Sequence, residues 1–486
     1  MPSVKVADQL ARADPTDLDA LREALGHADP EGRLAPIGMS RIEIGANALS
    51  RLPEVVSEFA RGGREAPRVV LVTDATPMRR GEGDLKAEAE RLLAGRFEVR
   101  RAVLGEGQGT QLHADEMALA EARAAVEEAD CVVVVGSGTV TDLCKAVAAG
   151  TGAPLLVVVQ TAASVNAFSD DVSVLLKSGT KRTVPSRWPD ALLVDLTTLA
   201  DAPPAMNLAG FGDIISMWTA PADWYLASAV GMDESYHPAP VRMLYRGGGE
   251  LLDDGAALRR SDPGALDRLA RVLTLSGITL GIAGKTAPLS GTEHLVSHLV
   301  DMAAEQAGNP VAFHGAQVAV ATIPVSAAWE FALAELDPST IDLDRLFPDE
   351  AALEPVVREA FAVIDPSGGV GEECWSDYAG KLALWRRSRE RVERFFEEWP
   401  EHRARIREMV LPPERLGRAL REAGAPARFG ELDPPVAPGV ARWALRNCHL
   451  MRNRFTLADM LFFVGWWDDA FVERMLERAR SAGGGL

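Results

Sequence analysis

The chain has 486 residues, with 51 Lys and Arg against 70 Asp and Glu, which gives a formal net charge of −19. This length predicts two or three domains at roughly 100–200 residues each, and a composition of 47% hydrophobic and 25% charged residues is typical of a globular protein. The acidic balance argues against nucleic acid as the main partner, because phosphate neutralisation needs clustered Lys and Arg.

Cysteine usage and apolar runs indicate the compartment. The four cysteines (Cys131, Cys144, Cys374 and Cys448) are far apart, which predicts free thiols in a reducing compartment. The first residues lack the apolar core of a signal peptide, and no apolar run approaches the roughly 18–20 residues that span a bilayer. We therefore expect a cytoplasmic protein with no membrane insertion.

The first part of the chain predicts an α/β domain. Residues 1–35 are loosely helical and are predicted to be an N-terminal extension. In residues 36–205, continuous β-branched runs alternate with helical patterns, which predicts a Rossmann-like parallel sheet covered on both faces. The predicted strands span 68–74, 131–136, 154–160 and 191–195, and an irregular β-hairpin beginning at residue 170 leads to the last of them.

The remainder, residues 206–486, is almost entirely helical in pattern and predicts an all-α second domain. The predicted helices span 265–284, 289–306, 314–334, 379–409, 412–423, 437–450 and 456–479.

A glycine-containing turn lies between the second predicted strand and the next helix. It consists of Gly136, Ser137, Gly138 and Thr139. Backbone N–H groups at a helix N-terminus favour an anion, so the pattern is compatible with a pyrophosphate-binding turn. It is equally compatible with a tight turn that binds nothing, because the full GxGxxG pattern is missing.

Three of the eight histidines lie within 21 residues of one another. His294 and His298 are four residues apart on one predicted helix and share a face, and His314 opens the next helix. Imidazoles with a carboxylate and without thiolates are typical of a catalytic metal site, so this spacing favours metal binding or catalysis over a structural role. Asp213, which follows Gly-Phe-Gly, is by its own pattern a helix N-cap.

Together these segments resemble the dehydroquinate synthase-like and iron-containing alcohol dehydrogenase superfamily, and within it most closely the bacterial sn-glycerol-1-phosphate dehydrogenases. In chain order the resemblance rests on SRIEIGANALSRLPEVV, VVVVGSGTVTDL, QTAASVNAFS, AGFGDIIS, SGTEHLVSHLVD, FHGAQVAVAT and RNRFTLADM. It implies a Rossmann-like domain followed by an α-helical domain, an active site in the cleft between them, and a homodimer.

The resemblance also implies a set of functional residues. A divalent ion (zinc, nickel or iron) is expected on Asp213, His294 and His314, so a ligand role replaces the cap for Asp213. His298 is expected to assist proton transfer, and Asn166 to face the substrate. Asp74 is expected to contact the adenosine ribose, favouring NAD over NADP. The full set expected to bind NAD(H) is Asp74, Gly136, Ser137, Gly138, Thr139, Asp142, Thr161, Ser164 and Asp170.

Four positions depart from the family pattern. Asn166 stands where an aspartate is usual and cannot act as a base. Ala287 replaces an arginine suited to phosphate, although Lys285 is two residues away. Ala316 replaces a glutamate, and Asp170 stands where a small polar residue often meets the cofactor. Retained metal ligands with altered substrate-facing positions indicate an altered choice of substrate.

We therefore expect a metal-dependent NAD(H) oxidoreductase that converts dihydroxyacetone phosphate to sn-glycerol 1-phosphate or acts on a related small polyol or ketone. The alternatives are a dehydroquinate synthase-type lyase that uses NAD transiently, or a non-catalytic binding relative. Few Lys and Arg at the candidate site argue against the lyase, and the retained ligands argue against the binding protein. Arg452 and Arg454 could reach a phosphate, but structural pairing is the simpler interpretation.

Overall fold

The computed structural model describes residues 9–60, 67–106, 112–150, 154–177 and 180–486. The chain forms two compact units: the first contains Met1–Phe211 and Arg242–Lys285, and the second contains Gly212–Val241 and Thr286–Leu486. The sequence analysis divides the chain once, near residue 205. The structure instead groups Arg242–Lys285 with the sheet-containing unit, so the chain passes between the units at three points.

A six-stranded parallel sheet forms the centre of the first unit, in the order β1-β10-β7-β6-β2-β5. Its strands are β1 (Arg41–Gly45), β2 (Arg68–Asp74), β5 (Glu98–Leu104), β6 (Cys131–Gly136), β7 (Leu155–Gln160) and β10 (Ala191–Asp195). Every residue of β6 and β10 is buried, as expected for a parallel sheet covered on both faces. The predicted parallel sheet is therefore confirmed.

Two antiparallel pairs complete the strands of the first unit. They are β3 (Arg79–Arg80) with β4 (Gly83–Asp84), and β8 (Val172–Lys177) with β9 (Thr180–Pro185). The second pair is the hairpin that the sequence predicts.

The N-terminal extension packs into the first unit as a helix. The helix α1 begins after Asp17, whose side chain caps it, and Ala35 N donates to Ile282 O at 2.8 Å. The helices up to residue 285 are α1 (Leu18–Ala28), α2 (Leu52–Ala60), α3 (Leu85–Ala94), α4 (Glu116–Val126), α5 (Gly138–Gly150), α6 (Leu196–Asp201), α7 (Pro204–Ile214), α8 (Ala220–Ala229), α9 (Pro238–Asp253), α10 (Gly255–Leu258) and α11 (Pro263–Ala283).

The second unit is helical, as predicted. After residue 285 its helices are α12 (Thr292–Gln306), α13 (His314–Glu335), α14 (Glu350–Ala362), α15 (Gly369–Arg387), α16 (Arg389–Glu397), α17 (Trp399–Arg407), α18 (Pro413–Ala423), α19 (Pro438–Asn447), α20 (Leu457–Phe463) and α21 (Asp469–Ser481). The single helix predicted over 379–409 is wrong, because the backbone leaves helical geometry at Ser388 and Glu398. Likewise, 456–479 forms two helices.

Helix α13 is long and apolar enough to cross a membrane by length and composition, which the sequence analysis overlooked. Its most apolar window is 89% buried inside the protein, as in the core helix of a globular unit. All four cysteines are buried and free, as predicted.

Candidate metal centre

Three side chains of the second unit form a compact cluster of possible metal ligands. One ligand atom from each of Asp213, His294 and His314 lies within 4.8 Å of the others. Asp213 Oδ1 is 3.5 Å from His294 Nε2 and 3.9 Å from His314 Nε2. Asp213 and His294 are buried, whereas His314 is half-buried. The structure thus brings together the three residues that the sequence analysis assigns to a metal.

Close helix packing places Asp213 beside His314. A Cβ at Gly212 would lie 2.4 Å from the carbonyl oxygen of Gly315, so only glycine permits this approach of α7 to α13. Asp213 lies in the last turn of α7. The prediction that it opens a helix, and with it the capping interpretation, is therefore wrong: the glycines serve helix packing and do not mark a turn.

The carboxylate of Asp213 is buried beside two imidazoles. Its Oδ1 is buried, and burial of a carboxylate is costly unless positive charge or hydrogen-bond donors compensate. Burial alone would lower the pKa of His294, but hydrogen bonds with Asp213 and Glu293 outweigh it and raise the pKa to about 9. The carboxylates thus favour positive charge here, and a carboxylate with two imidazoles fits a divalent ion.

Glu293 orients the first imidazole. Its Oε1 lies 3.0 Å from His294 Nδ1, which leaves Nε2 directed toward Asp213. Glu293 is itself held by Gly291 N at 2.7 Å and by the hydroxyl of Thr219 at 2.9 Å. A carboxylate on the outer nitrogen is the usual way in which proteins fix a metal-binding histidine. The sequence analysis did not identify Glu293, although its place next to His294 was a usable signal.

A chain of side-chain hydrogen bonds orients the second imidazole. Ser297 Oγ lies 3.2 Å from His314 Nδ1 and donates to Gln317 Oε1 at 2.8 Å. Gln317 Nε2 in turn donates to Asp301 Oδ1 at 2.8 Å. The His314 side chain is therefore supported from α12, the helix that carries His294. None of these three residues was singled out from the sequence.

His298, the predicted proton-transfer residue, lies beside the cluster. Its ring stacks against that of His314 with centroids 5.7 Å apart and an interplanar angle of 24°. It is half-buried, so one side reaches solvent. Its place one turn after His294 is as the sequence predicts, and its role in proton transfer remains a prediction.

The predicted pyrophosphate turn lies in the first unit. Gly136 ends β6, and Gly138 begins α5. A Cβ at Gly136 would lie 2.8 Å from the side chain of Val140, so close packing is sufficient to explain this glycine. Thr161 supports the turn by donating from Oγ1 to the Gly136 carbonyl at 2.9 Å. The other two turn residues, Ser137 and Thr139, are half-buried beside it, and cofactor binding here stays a prediction.

The acidic residues predicted to touch the cofactor pair with lysines, and their contact with the cofactor stays a prediction. Asp74 Oδ1 lies 2.6 Å from the ammonium of Lys86, and both side chains are buried. Asp142 Oδ1 lies 3.1 Å from Lys145 Nζ, which also forms an ion pair with Asp170.

Burial raises the pKa of Asp142 to about 6, although the Lys145 charge opposes the rise. The sequence analysis missed both lysines. The spacing of Asp142 and Lys145 on one helix could have identified the second.

Two further predicted residues lie in the loop between β7 and β8. Ser164 is buried and Asn166 is half-buried. The carbonyl of Asn166 accepts from Ser169 N at 3.2 Å. A Cβ at Gly277 of α11 would lie 2.6 Å from that carbonyl, so the loop packs tightly on the helix. These residues belong to the first unit with the turn, whereas His298 and the metal cluster belong to the second.

The chain is similar to known proteins in sequence and in fold. The family model described as iron-containing alcohol dehydrogenase matches residues 43–203. A glycerol-1-phosphate dehydrogenase of Halalkalibacterium halodurans, named with NAD(P)+, is 31% identical over 296 residues, which cover 60% of this chain and 71% of that protein. One from Korarchaeum cryptofilum is 30% identical and covers 50% of this chain and 82% of its own.

A solved structure shows the same fold. The crystal structure of a probable glycerol dehydrogenase from Sinorhizobium meliloti aligns with a TM-score of 0.56 over 92% of this chain and 98% of that one, at 17% identity. At that identity the alignment supports the fold alone. It confirms the predicted combination of a parallel-sheet part and a helical part. With the relatives above it also confirms the resemblance that the motifs predict: this chain is an oxidoreductase that belongs to the iron-containing alcohol dehydrogenase family.

Proposed function

We propose that the protein is a metal-dependent NAD(H) dehydrogenase that interconverts dihydroxyacetone phosphate and sn-glycerol 1-phosphate. Two relatives whose own chains are more than two thirds covered carry the name glycerol-1-phosphate dehydrogenase, which supports this substrate. The observation that carries the proposal is the cluster of Asp213, His294 and His314, in which one ligand atom from each residue lies within 4.8 Å of the others.

Asp213, His294 and His314 would hold one divalent ion, which polarises a substrate oxygen and stabilises negative charge on it. Glu293 and Ser297 keep the two imidazoles in ligating orientation through their Nδ1 atoms. With three protein ligands, the ion would have a coordination position for the substrate oxygen, as in other catalytic metal sites.

His298 would carry the proton in this reaction. Its half-buried ring stacks on His314, so it would exchange a proton with solvent from a position beside the metal ligands. Asn166 would donate or accept hydrogen bonds with substrate hydroxyls, because an amide cannot act as a base.

NAD(H) would bind through the turn at Gly136–Thr139, with Thr161 and Ser164 beside it. Zinc, nickel and iron all accept two histidines and a carboxylate, so the proposal covers each of them. The proposal also describes a cytoplasmic homodimer that acts on a small molecule.

The test follows NADH absorbance in metal-reconstituted protein supplied with dihydroxyacetone phosphate or with unphosphorylated dihydroxyacetone. We expect stoichiometric oxidation of NADH with the phosphate ester. Net oxidation of NADH distinguishes this reaction from that of a lyase, which uses NAD transiently and regenerates it. Protein that binds metal but oxidises no NADH with either ketone would contradict the proposal.

A further inference from the structure

The segment between α19 and α20 carries a guanidinium group with unused hydrogen-bond donors. Arg454 Nη1 donates to the carbonyl and hydroxyl oxygens of Ser290, and Nη2 donates to the hydroxyl of Thr286. A guanidinium has five N–H donors, and these contacts use three. The Nε hydrogen and one Nη2 hydrogen therefore have no acceptor among the described residues.

Arg454 also lacks a carboxylate counter-ion. Within the described part of the chain it forms no ion pair, and Glu293, Asp233 and Asp223 act on it only from a distance. Burial, together with the nearby charge of Arg452, lowers the pKa of Arg454 to about 10. A partly buried cation with a second cation beside it is stabilised by an anion, and arginine is suited to two-point binding of phosphate.

Buried polar contacts hold the backbone around Arg454 in place. Lys381 is fully buried, lies 2.7 Å from Asp459 Oδ1 and donates to the Arg454 carbonyl at 3.1 Å. Asp223 accepts from Leu457 N at 2.8 Å and from Thr292 N at 2.7 Å. The arginine segment and the first turn of α12 are therefore fixed to each other before any ligand binds.

This guanidinium stands beside the position where resembling dehydrogenases carry an arginine. That position is Ala287, and Arg454 contacts Thr286 on one side of it and Ser290 on the other. Ser290 precedes the metal-ligand candidate His294 by four residues. Lys285, the replacement suggested by sequence, belongs to the first unit, whereas Arg454 belongs to the second unit with the metal cluster.

We propose that Arg454 binds the phosphate group of the substrate and so makes the site selective for phosphorylated ketones. The identity of the substrate in this inference rests on the proposed dehydrogenase activity. The prediction that Arg454 binds an anion does not. It changes the status of Arg454 from a structural pairing residue to a specificity determinant.

The test compares Arg454→Met, Arg454→Lys and wild type as metal-reconstituted full-length proteins. We expect Arg454→Met to lower the ratio of kcat/KM for dihydroxyacetone phosphate to that for dihydroxyacetone at least roughly tenfold, and Arg454→Lys to recover part of it. Inorganic phosphate should raise the Tm of wild type more than that of Arg454→Met. Arg345→Met is the matched control, because exposed Arg345 pairs only with Asp342 among the described residues.

Equal losses with both ketones, or the same phosphate-dependent rise in Tm in Arg454→Met and wild type, would overturn the inference and leave Arg454 a structural residue. The two proposals can fail separately. If wild type reduces neither ketone, the dehydrogenase proposal fails, and the Tm shift with inorganic phosphate still decides whether Arg454 binds an anion.

Discussion

Buried carboxylates of the first unit face lysine ammonium groups, whereas Asp213 of the second unit faces imidazole rings. Asp74 pairs with Lys86, and both Asp142 and Asp170 pair with Lys145. The Lys86 ammonium faces one carboxylate, and the Lys145 ammonium faces two. Asp213 Oδ1 instead lies 3.5 Å from His294 Nε2 and 3.9 Å from His314 Nε2, a donor set that fits a divalent cation. From this contrast we infer that the acidic residues of the first unit stabilise the fold and that Asp213 holds a metal ion.

The largest expected effect is at the Asp213 carboxylate. Asp213→Asn keeps the shape but removes the charge that the two imidazoles face. We expect bound metal to fall below about a tenth of the wild-type content and NADH turnover to fall at least roughly 1000-fold, since the ion supplies charge stabilisation. Metal analysis after dialysis and a steady-state assay measure the two effects. Retention of full metal content would remove Asp213 from the ligand set.

The opposite behaviour is expected at Lys145. Lys145→Met leaves Asp142 and Asp170 buried without their cation, which should reduce the free energy of unfolding by about 3–5 kcal/mol. The triple variant Lys145→Met, Asp142→Asn, Asp170→Asn removes all three charges and should recover most of that loss. Denaturant titration of both variants measures it. A stable single variant would show that the cluster is not structural.

The residues that orient the imidazoles give an intermediate effect. Glu293→Gln and Ser297→Ala remove partners of His294 and His314 without removing a ligand. Loss of such partners typically weakens metal affinity 10–100-fold. Competition with a chelator measures the affinity. Ser339→Ala, on an exposed turn of the same unit, is the matched control for Ser297→Ala. Unchanged affinity in both test variants would mean that packing alone orients the rings.

The sequence predicts the centre of the sheet better than its edges. Strands β2, β6 and β10 match their predicted bounds because they are continuous apolar runs, which only a doubly covered strand requires. Strand β5 (EVRRAVL) is mostly exposed or half-buried and has no such run, so it was missed. The breaks at Ser388 and Glu398 were also missed, because neither residue is a strong helix breaker.

The candidate site shows a similar division. Asp213, His294 and His314 could be named from motif spacing, and the structure brings them together. The residues that orient them could not be named, because the contact of Ser297 with His314 and the link from Gln317 to Asp301 depend on how α12 packs against α13. The lysine partners of the acidic residues were missed for a different reason. The sequence analysis assigned these carboxylates to the cofactor and did not ask which cations would compensate their burial.

The smallest effect tests whether Asp74 acts on the cofactor as well as on the fold. Its carboxylate is shared with Lys86 at 2.6 Å and accepts from Thr76 Oγ1 at 2.9 Å. Because the ammonium cancels much of its charge, we expect wild type to discriminate between NADH and NADPH by less than about tenfold. Asp74→Asn would leave the Lys86 charge unbalanced, which attracts a 2′-phosphate.

That variant should raise the ratio of kcat/KM for NADPH to that for NADH by about three- to tenfold, measured with one ketone at fixed metal loading. Asp19→Asn, an exposed residue of the same unit paired with Arg22, removes the same formal charge and is the control. A ratio that stays constant in Asp74→Asn while its Tm falls would place Asp74 with Asp142 and Asp170, as a carboxylate that serves only the fold. A raised ratio would instead show that Asp74, a carboxylate of the first unit paired with a lysine, also acts on the cofactor.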